Sequence, residues 1–248
     1  MTIFKEIIDS IENEDIKKFA YKCMDTIPEY FWDVGASSTG KYHPQYALGY
    51  NGLARHTVAL VRILNDILGL ESISSQFTSR EKDFLRVAGM MHDTRKSGDQ
   101  KDYERNKYTK FNHPLLAANV VRGIDGLDKK EIELIAHAIE SHMGEWNTDK
   151  HNPDVILPKP EDKYQIILHL ADYLASRKYI EIKFDNVEET SSKPAMPKPI
   201  PDINTWKFDF GKYAGKTIPE VKAENPGYIH WAKENMRKEP ARTLLQQI

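Results

Sequence analysis

Residues 81–98 read EKDFLRVAGMMHDTRKSG, and the fold follows from how they are arranged. Phe84, Leu85, Val87, Ala88 and Met91 recur at helical spacing, which predicts an amphipathic helix. Ser79 is the expected N-cap, with Glu81 and Asp83 in the first turn. His92 lies one turn beyond Ala88 and so falls toward the apolar stripe, and Gly89, one turn before Asp93, leaves room beside that carboxylate. An imidazole and a carboxylate buried at a helix end are costly unless a partner satisfies them. A divalent metal does so, because His nitrogen and Asp oxygen both ligate borderline ions. A His-Asp pair alone is a weak signal, and its weight depends on the remainder of the chain.

Working toward the N-terminus, a helix over residues 53–68 carries His56, Leu60, Ile63 and Ile67 at spacings of four, three and four, which puts His56 on the apolar stripe. A lone His there is more often a satisfied core residue than a ligand. Residues 35–52, GASSTGKYHPQYALGYNG, form a loop that delivers the chain into this helix and brings Lys41 and His43 with it. Such a loop can offer backbone N–H groups and a cation to a phosphate, or be a plain surface connection. Residues 3–24 repeat Ile3, Ile7, Ile11, Ile16 and Phe19 as one packing helix, and Tyr30, Phe31 and Trp32 add aromatic bulk for a core or a rim.

Toward the C-terminus, the charged run DQKDYERNKYTK after Gly98 reads as an exposed loop or lid. Asn112-His113-Pro114 then fits a helix start, with Pro at the first helical position. A helix from Asp128 to about Met143 presents two histidines. His142 falls roughly 80° from the centre of its apolar stripe and His137 roughly 140°, so His142 is the one expected to reach inward. Residues 161–182 are apolar almost all round and read as a central buried helix with Asp172 in its middle, where a carboxylate has to be paired or coordinated. His169, one turn earlier, fits a partner of that site equally with a surface or core histidine.

Composition bounds the setting. Hydrophobic content of 40%, charged content of 29% and a net charge of −2 are ordinary for a soluble globular protein and argue against a generally basic nucleic-acid binder. No apolar run approaches the roughly 20 residues of a membrane span, and the N-terminal MTIFKEIIDS lacks a signal-type apolar core. Cys23 is the single cysteine, which excludes an intramolecular disulfide and a cysteine-based zinc site. A cytoplasmic location is expected.

His56, His92, Asp93 and Asp172 stand in the order H…HD…D on helical segments. Over roughly residues 30–182 this resembles the HD-domain metal-dependent phosphohydrolase superfamily. The approach to His56, HPQYALGYNGLARHT, is similar to the "GGL-x-HT" of HD-type 3′–5′ exoribonucleases, with Asn51 in place of the first glycine. HDTRKSG resembles "HD-x-x-K-x-G", with Lys96 at the usual lysine, and NHP…AIESHMG resembles the two additional histidines of the two-metal branch, His113 and His142. The resemblance implies an all-α helical bundle around two divalent transition metal ions (Mn, Fe, Co, Ni or Zn, since nitrogen-rich ligation disfavours Mg). His56, His92, Asp93 and Asp172 would hold one ion, and His113 and His142 the second, with Asp93 bridging. It also implies a bridging water of lowered pKa for attack on a phosphate, with Asp93 and Lys96 catalytic. Lys96, and with it Arg95, Lys41 and His43, would meet the substrate. The general acid is not legible.

Residues 185–205 shift to Ser, Thr, Pro and Lys and read as a linker of polyproline character that separates a domain over 1–184 from a module over 206–248. The module carries eight Lys/Arg against five Asp/Glu, alternates like a strand over 206–210 and then turns helical, so a small α+β fold is expected. Its FDFGKYAGKTIPEV resembles a module appended to DNA exonucleases of the proofreading type. If it binds single-stranded nucleic acid, Lys207, Lys212 and Lys216 meet phosphates while Tyr213, Tyr228 or Trp231 stacks on bases. A docking or dimerisation element weighs equally. The favoured function is a phosphodiesterase acting on nucleic-acid ends, short oligonucleotides or cyclic nucleotides. A nucleotidase or nucleoside-triphosphate hydrolase is the alternative, and an adaptor with a structural metal site the third reading, which the presence of Lys96 disfavours.

Overall fold

Residues 52–61 are buried without interruption, so the helix they begin, Gly52–Gly69, has no solvent face over its first half. The computed structural model describes residues 2–37, 40, 43–149, 152, 154, 156–180, 202–208, 211–236 and 241–246. Contact clustering divides the chain into two compact units, Met1–Phe184 and Asp185–Ile248. The first holds α1 (Lys5–Asp9), α2 (Glu14–Met24), α3 (Gly52–Gly69), α4 (Glu71–Ser74), α5 (Ser79–Met91), α6 (Gln100–Arg105), α7 (His113–Arg122), α8 (Lys129–Glu140) and α9 (Lys163–Ala175). The all-helical expectation holds. The central element, however, is α3, packed against α5 and α9, and not α9, which leaves Ile166 (48%) and Leu170 (40%) exposed. Among the described residues no helix is long and apolar enough to cross a membrane.

The start of α3 explains the departure at Asn51. That residue takes φ +57°, the left-handed region that Asn tolerates better than most side chains. Gly52 then lies so close to the preceding loop that a Cβ would stand 2.5 Å from the Ala47 carbonyl oxygen. The second glycine of the motif is therefore required sterically, whereas the first is replaceable.

Helix α5 is capped one residue earlier than Ser79. Thr78 accepts from the Glu81 backbone while the Glu81 carboxylate returns to the Thr78 N–H, a reciprocal pair. Gly89 serves a different neighbour from the one expected. A Cβ there would meet Leu60 at 2.9 Å and Val61 at 3.1 Å, so this glycine lets α3 and α5 approach. Asp83, placed by the sequence in the first turn, is fully buried. It accepts from the backbone N–H groups of Glu12 and Asn13, from the Asn13 side chain and from Arg86 at 2.6–3.2 Å. These bonds hold the break between α1 and α2, where the sequence periodicity had suggested one continuous helix.

The charged run after Gly98 is a helix over its first half, α6, with Asp99 and Asp102 forming its capping pair. In the second unit α10 (Ile218–Glu224), α11 (Pro226–Asn235) and α12 (Ala241–Leu245) enclose a core of Phe208, Tyr213, Ile218, Val221, Ile229 and Leu244. Among the described residues it has no strand. The alternation over 206–210 survives as one antiparallel bridge between Lys207 and Thr217, with 209 and 210 outside the described residues. Most of the segment read as a linker, residues 185–201, also lies outside them.

Removing Asp83 leaves the Arg86 Nη1 group and the Glu12 and Asn13 N–H groups without their acceptor, while Arg86 Nε keeps Asn65. Asp83→Ala is expected to cost about 3–5 kcal/mol of stability, measured by denaturant unfolding of the full chain. A loss below about 1 kcal/mol would mean that water replaces the carboxylate.

Candidate metal centre

Three histidines are oriented by one device. His92 Nδ1 lies 2.8 Å from the Gly89 carbonyl oxygen, His113 Nδ1 2.7 Å from that of Lys110, and His142 Nδ1 2.7 Å from that of Ile139. Each carbonyl is three residues back. A carbonyl only accepts, so each Nδ1 carries the hydrogen and each Nε2 of the neutral ring is a bare lone pair. His92 caps the end of α5, His113 opens α7, and His142 sits in the turn after α8. The helix expected to run to Met143 therefore stops at Glu140, and the turn aims His142 inward. His137, on the helix itself, is more than half exposed and pairs with Glu133 at 3.4 Å.

The lone pairs converge on two carboxylates. His113 Nε2 is 2.9 Å and His142 Nε2 3.7 Å from Asp93 Oδ1, and the two rings stand 3.3 Å apart at Nε2. His92 Nε2 is 3.6 Å from Asp93 Oδ2 and 3.7 Å from Asp172 Oδ1, which His56 Nε2 approaches to 3.0 Å. His56, His92, Asp93, His113 and His142 are all at most 3% exposed, and Asp172 lies at the rim with an 18% exposed side chain.

His92, His113, His142 and Asp93 thus face one another as acceptors. His92 Nε2 and Asp93 Oδ1 are buried with no hydrogen-bond donor, which in an interior is a cost of several kcal/mol per group. Protonation of His92 or His142 does not relieve it. Burial, and then the neighbouring His92 and His113, push His142 down to about 3, and burial also lowers His92. Burial alone would raise Asp93, but Lys96, His92 and His113 outweigh it and hold the carboxyl well below its usual range. Burial likewise opposes the ionised form of Asp172, and His56 and His92 more than offset it. A cation is the partner these groups lack. Two sets have donor atoms within 4.8 Å of one another, His56–His92–Asp172 and His92–Asp93–His142.

The remaining candidates divide. Lys96 Nζ sits 2.5 Å from Asp93 Oδ2. His43 is half-buried with its ring 5.6 Å from that of His56, its Nδ1 lacks a partner, and burial, with His56 and Lys96, pushes it down to about 4. Arg95 does not join them; its guanidinium donates to the Thr26 and Thr94 carbonyls. Lys41 lies outside the described residues. In the second unit Lys207, Lys212 and Lys216 are exposed, with Lys216 paired to Glu224. Trp231 is 51% exposed beside Tyr228. Tyr213 is buried and its hydroxyl accepts from Asn225, so it belongs to the core and not to a stacking surface.

Two supports were not foreseen. Tyr30 donates its hydroxyl to the Gly98 carbonyl and accepts from the Ser97 N–H, which anchors the loop after His92-Asp93; burial raises this phenol to about 12. The Lys110 N–H donates to the Lys96 carbonyl, so the residue that orients His113 is tied to the same loop.

Relief of an acceptor-only cluster by a cation has a thermal signature. Mn²⁺ or Zn²⁺ at about 100 times its dissociation constant is expected to add about 2.7 kcal/mol of stability. In a chain of this size that raises Tm by about 5–10 °C. Differential scanning fluorimetry after chelation and readdition measures it, and Asp93→Ala should abolish the rise. An equal rise in Asp93→Ala would move the ion elsewhere.

Comparison with known protein families agrees with this geometry. The HD domain family matches residues 53–177, and the exodeoxyribonuclease X-like C-terminal domain matches residues 208–237. No curated protein and no solved structure matches the chain. The HD match spans half of the chain and all six clustered residues, His56, His92, Asp93, His113, His142 and Asp172. The chain therefore belongs to the HD domain family, with the metal-dependent hydrolase chemistry of that family.

Proposed function

We propose that this chain is a two-metal phosphodiesterase that cleaves nucleic-acid ends, short oligonucleotides or cyclic nucleotides. The observation that carries the reading is the split orientation of Asp93. Its Oδ1 faces His113 and His142, while its Oδ2 faces His92 and Lys96. One carboxylate presented to two separate donor sets fits a bridging ligand between two ions. One set comprises His56, His92, Asp93 and Asp172, and the other Asp93, His113 and His142. Divalent ions held there would supply a water of lowered pKa and stabilise charge on the attacking and leaving oxygens of a phosphoryl group.

The residues around them have their own tasks. Among the described residues Lys96 is the ammonium that meets the cluster's carboxylates, and with Asp93 engaged by a metal it would be placed to neutralise a phosphate's equatorial oxygens. His43 stands neutral beside His56, and its buried Nδ1 lacks a hydrogen-bond partner. Asp172, with its 18% exposed side chain, is the cluster residue nearest solvent. The exonuclease-type C-terminal match favours a polymeric or oligomeric substrate over a mononucleotide.

A panel of single-stranded oligonucleotides, cyclic dinucleotides and nucleoside mono- and triphosphates tests the reading. Oligonucleotide or cyclic-nucleotide turnover should exceed mononucleotide turnover at least tenfold, and Asp93→Ala should abolish it. Preferential release of inorganic phosphate from mononucleotides would instead establish the nucleotidase.

The module's exposed lysines make a separate expectation. Replacing Lys207, Lys212 and Lys216 by Ala should reduce the slope of log affinity against log salt for a single-stranded oligonucleotide by about 2, near 0.7 per lost phosphate contact. An unchanged slope across a salt titration would assign the module to packing or protein contact.

A further inference from the structure

An aromatic and cationic stack stands on residues that closely follow two of the clustered residues in sequence, and none of its members is used above. Trp146 lies parallel to Tyr173, with ring centroids 5.8 Å apart and 8° between planes. The Arg177 guanidinium covers Tyr173 at 4.1 Å. Tyr173 follows Asp172 directly in α9, and Trp146 comes four residues after His142. His169 joins the two strands of chain, since its Nδ1–H donates to the His142 carbonyl at 2.8 Å while its ring packs beside both Trp146 and Tyr173.

The placement is built in. Gly144 takes φ +59°, and a Cβ there would stand 2.1 Å from the His169 ring. Only glycine lets the chain turn this tightly after His142, and the turn lays Trp146 on Tyr173. Even so, Trp146 keeps 49% of its surface in water. A large indole half exposed on a rigid stack with a guanidinium offers a flat π face with positive charge nearby. Those are the features that bind a nucleobase, because every base has a π face and its phosphate is anionic.

We propose that Trp146, Tyr173 and Arg177 form a stacking platform for one base of the substrate, positioned so that an adjoining phosphate reaches the His142 and Asp172 side of the metal centre. This rests on the phosphodiesterase reading for its biological use, and it narrows the substrate to base-bearing nucleotides in single-stranded form. Two exposed aliphatic side chains on the same helix, Ile166 and Leu170, have no such chemistry for nucleic acid. They would serve a protein partner, and the test distinguishes that outcome.

The probe is a fluorescein-labelled tetranucleotide with non-hydrolysable phosphonate linkages, in a series in which each base in turn is replaced by an abasic tetrahydrofuran. Affinity for the metal-loaded full chain is read by fluorescence anisotropy. In the wild type, removal of the base at one position should weaken binding about tenfold, in line with roughly 1–3 kcal/mol per stacked base. That penalty should vanish in Trp146→Ala, survive in Trp146→Phe, shrink in Arg177→Met, and persist in Trp231→Ala, which isolates it from the second unit. If Trp146→Ala weakens every member of the series by the same factor, or none, the platform is refuted. A concentration-dependent self-association lost in Trp146→Ala, with affinities unchanged, would refute it in favour of a protein-docking face. A chain that discriminates base from abasic site yet hydrolyses no phosphodiester would keep the platform and lose the proposed activity. Hydrolysis without discrimination would do the reverse.

Discussion

Three hydrogen bonds from ring Nδ1 to a carbonyl three residues back decide what this protein's interior can hold. They fix the tautomers of His92, His113 and His142 and turn three lone pairs onto Asp93. A buried cluster of acceptors is costly by itself, and burial disfavours the protonated forms of His92 and His142 that would relieve it. The helices around it arrange those carbonyls. Gly89 permits the close crossing of α3 and α5, Tyr30 pins the loop after Asp93, and Lys110 links that loop to the start of α7. The fold is a frame for a cluster of acceptors that could hold a cation.

Much of this was legible in the residues themselves. His92 and Asp93 at the end of an amphipathic helix, His56 on an apolar stripe and Asp172 in an apolar helix each carried the cost of a buried polar group, and that cost points to a metal. The structure gathers these four together with His113 and His142. What was not legible depends on backbone geometry. His142 reaches the cluster from a turn and not from the helix face used to argue for it, because α8 ends at Glu140. Nothing in the side-chain pattern marks Gly89, Lys110 or Ile139 as carbonyl donors of orientation, since any residue has that carbonyl.

Other differences come from long-range partners. Asp83 looked like a helix-start charge, but it is buried because the break between α1 and α2 brings two N–H groups to it. Helix α9 looked central from its apolar composition, yet Ile166 and Leu170 face water, and α3 takes the centre because its first half includes His56 and Arg55 among buried residues. Arg95 sits beside the motif in sequence, and the Thr26 carbonyl draws it away. In the second unit, Tyr213 became core while Trp231 stayed outside, a division that alternation alone does not encode.

The central claim is that the acceptor cluster holds two ions with Asp93 between them. Elemental analysis of the full chain, saturated with Mn²⁺ or Zn²⁺ and freed of excess metal, tests it most directly when paired with His113→Ala and His56→Ala. The account predicts two equivalents per chain in the wild type and one in each variant. A single equivalent in the wild type that is retained in His113→Ala and lost in His56→Ala would contradict it, leaving one ion at His56, His92 and Asp172.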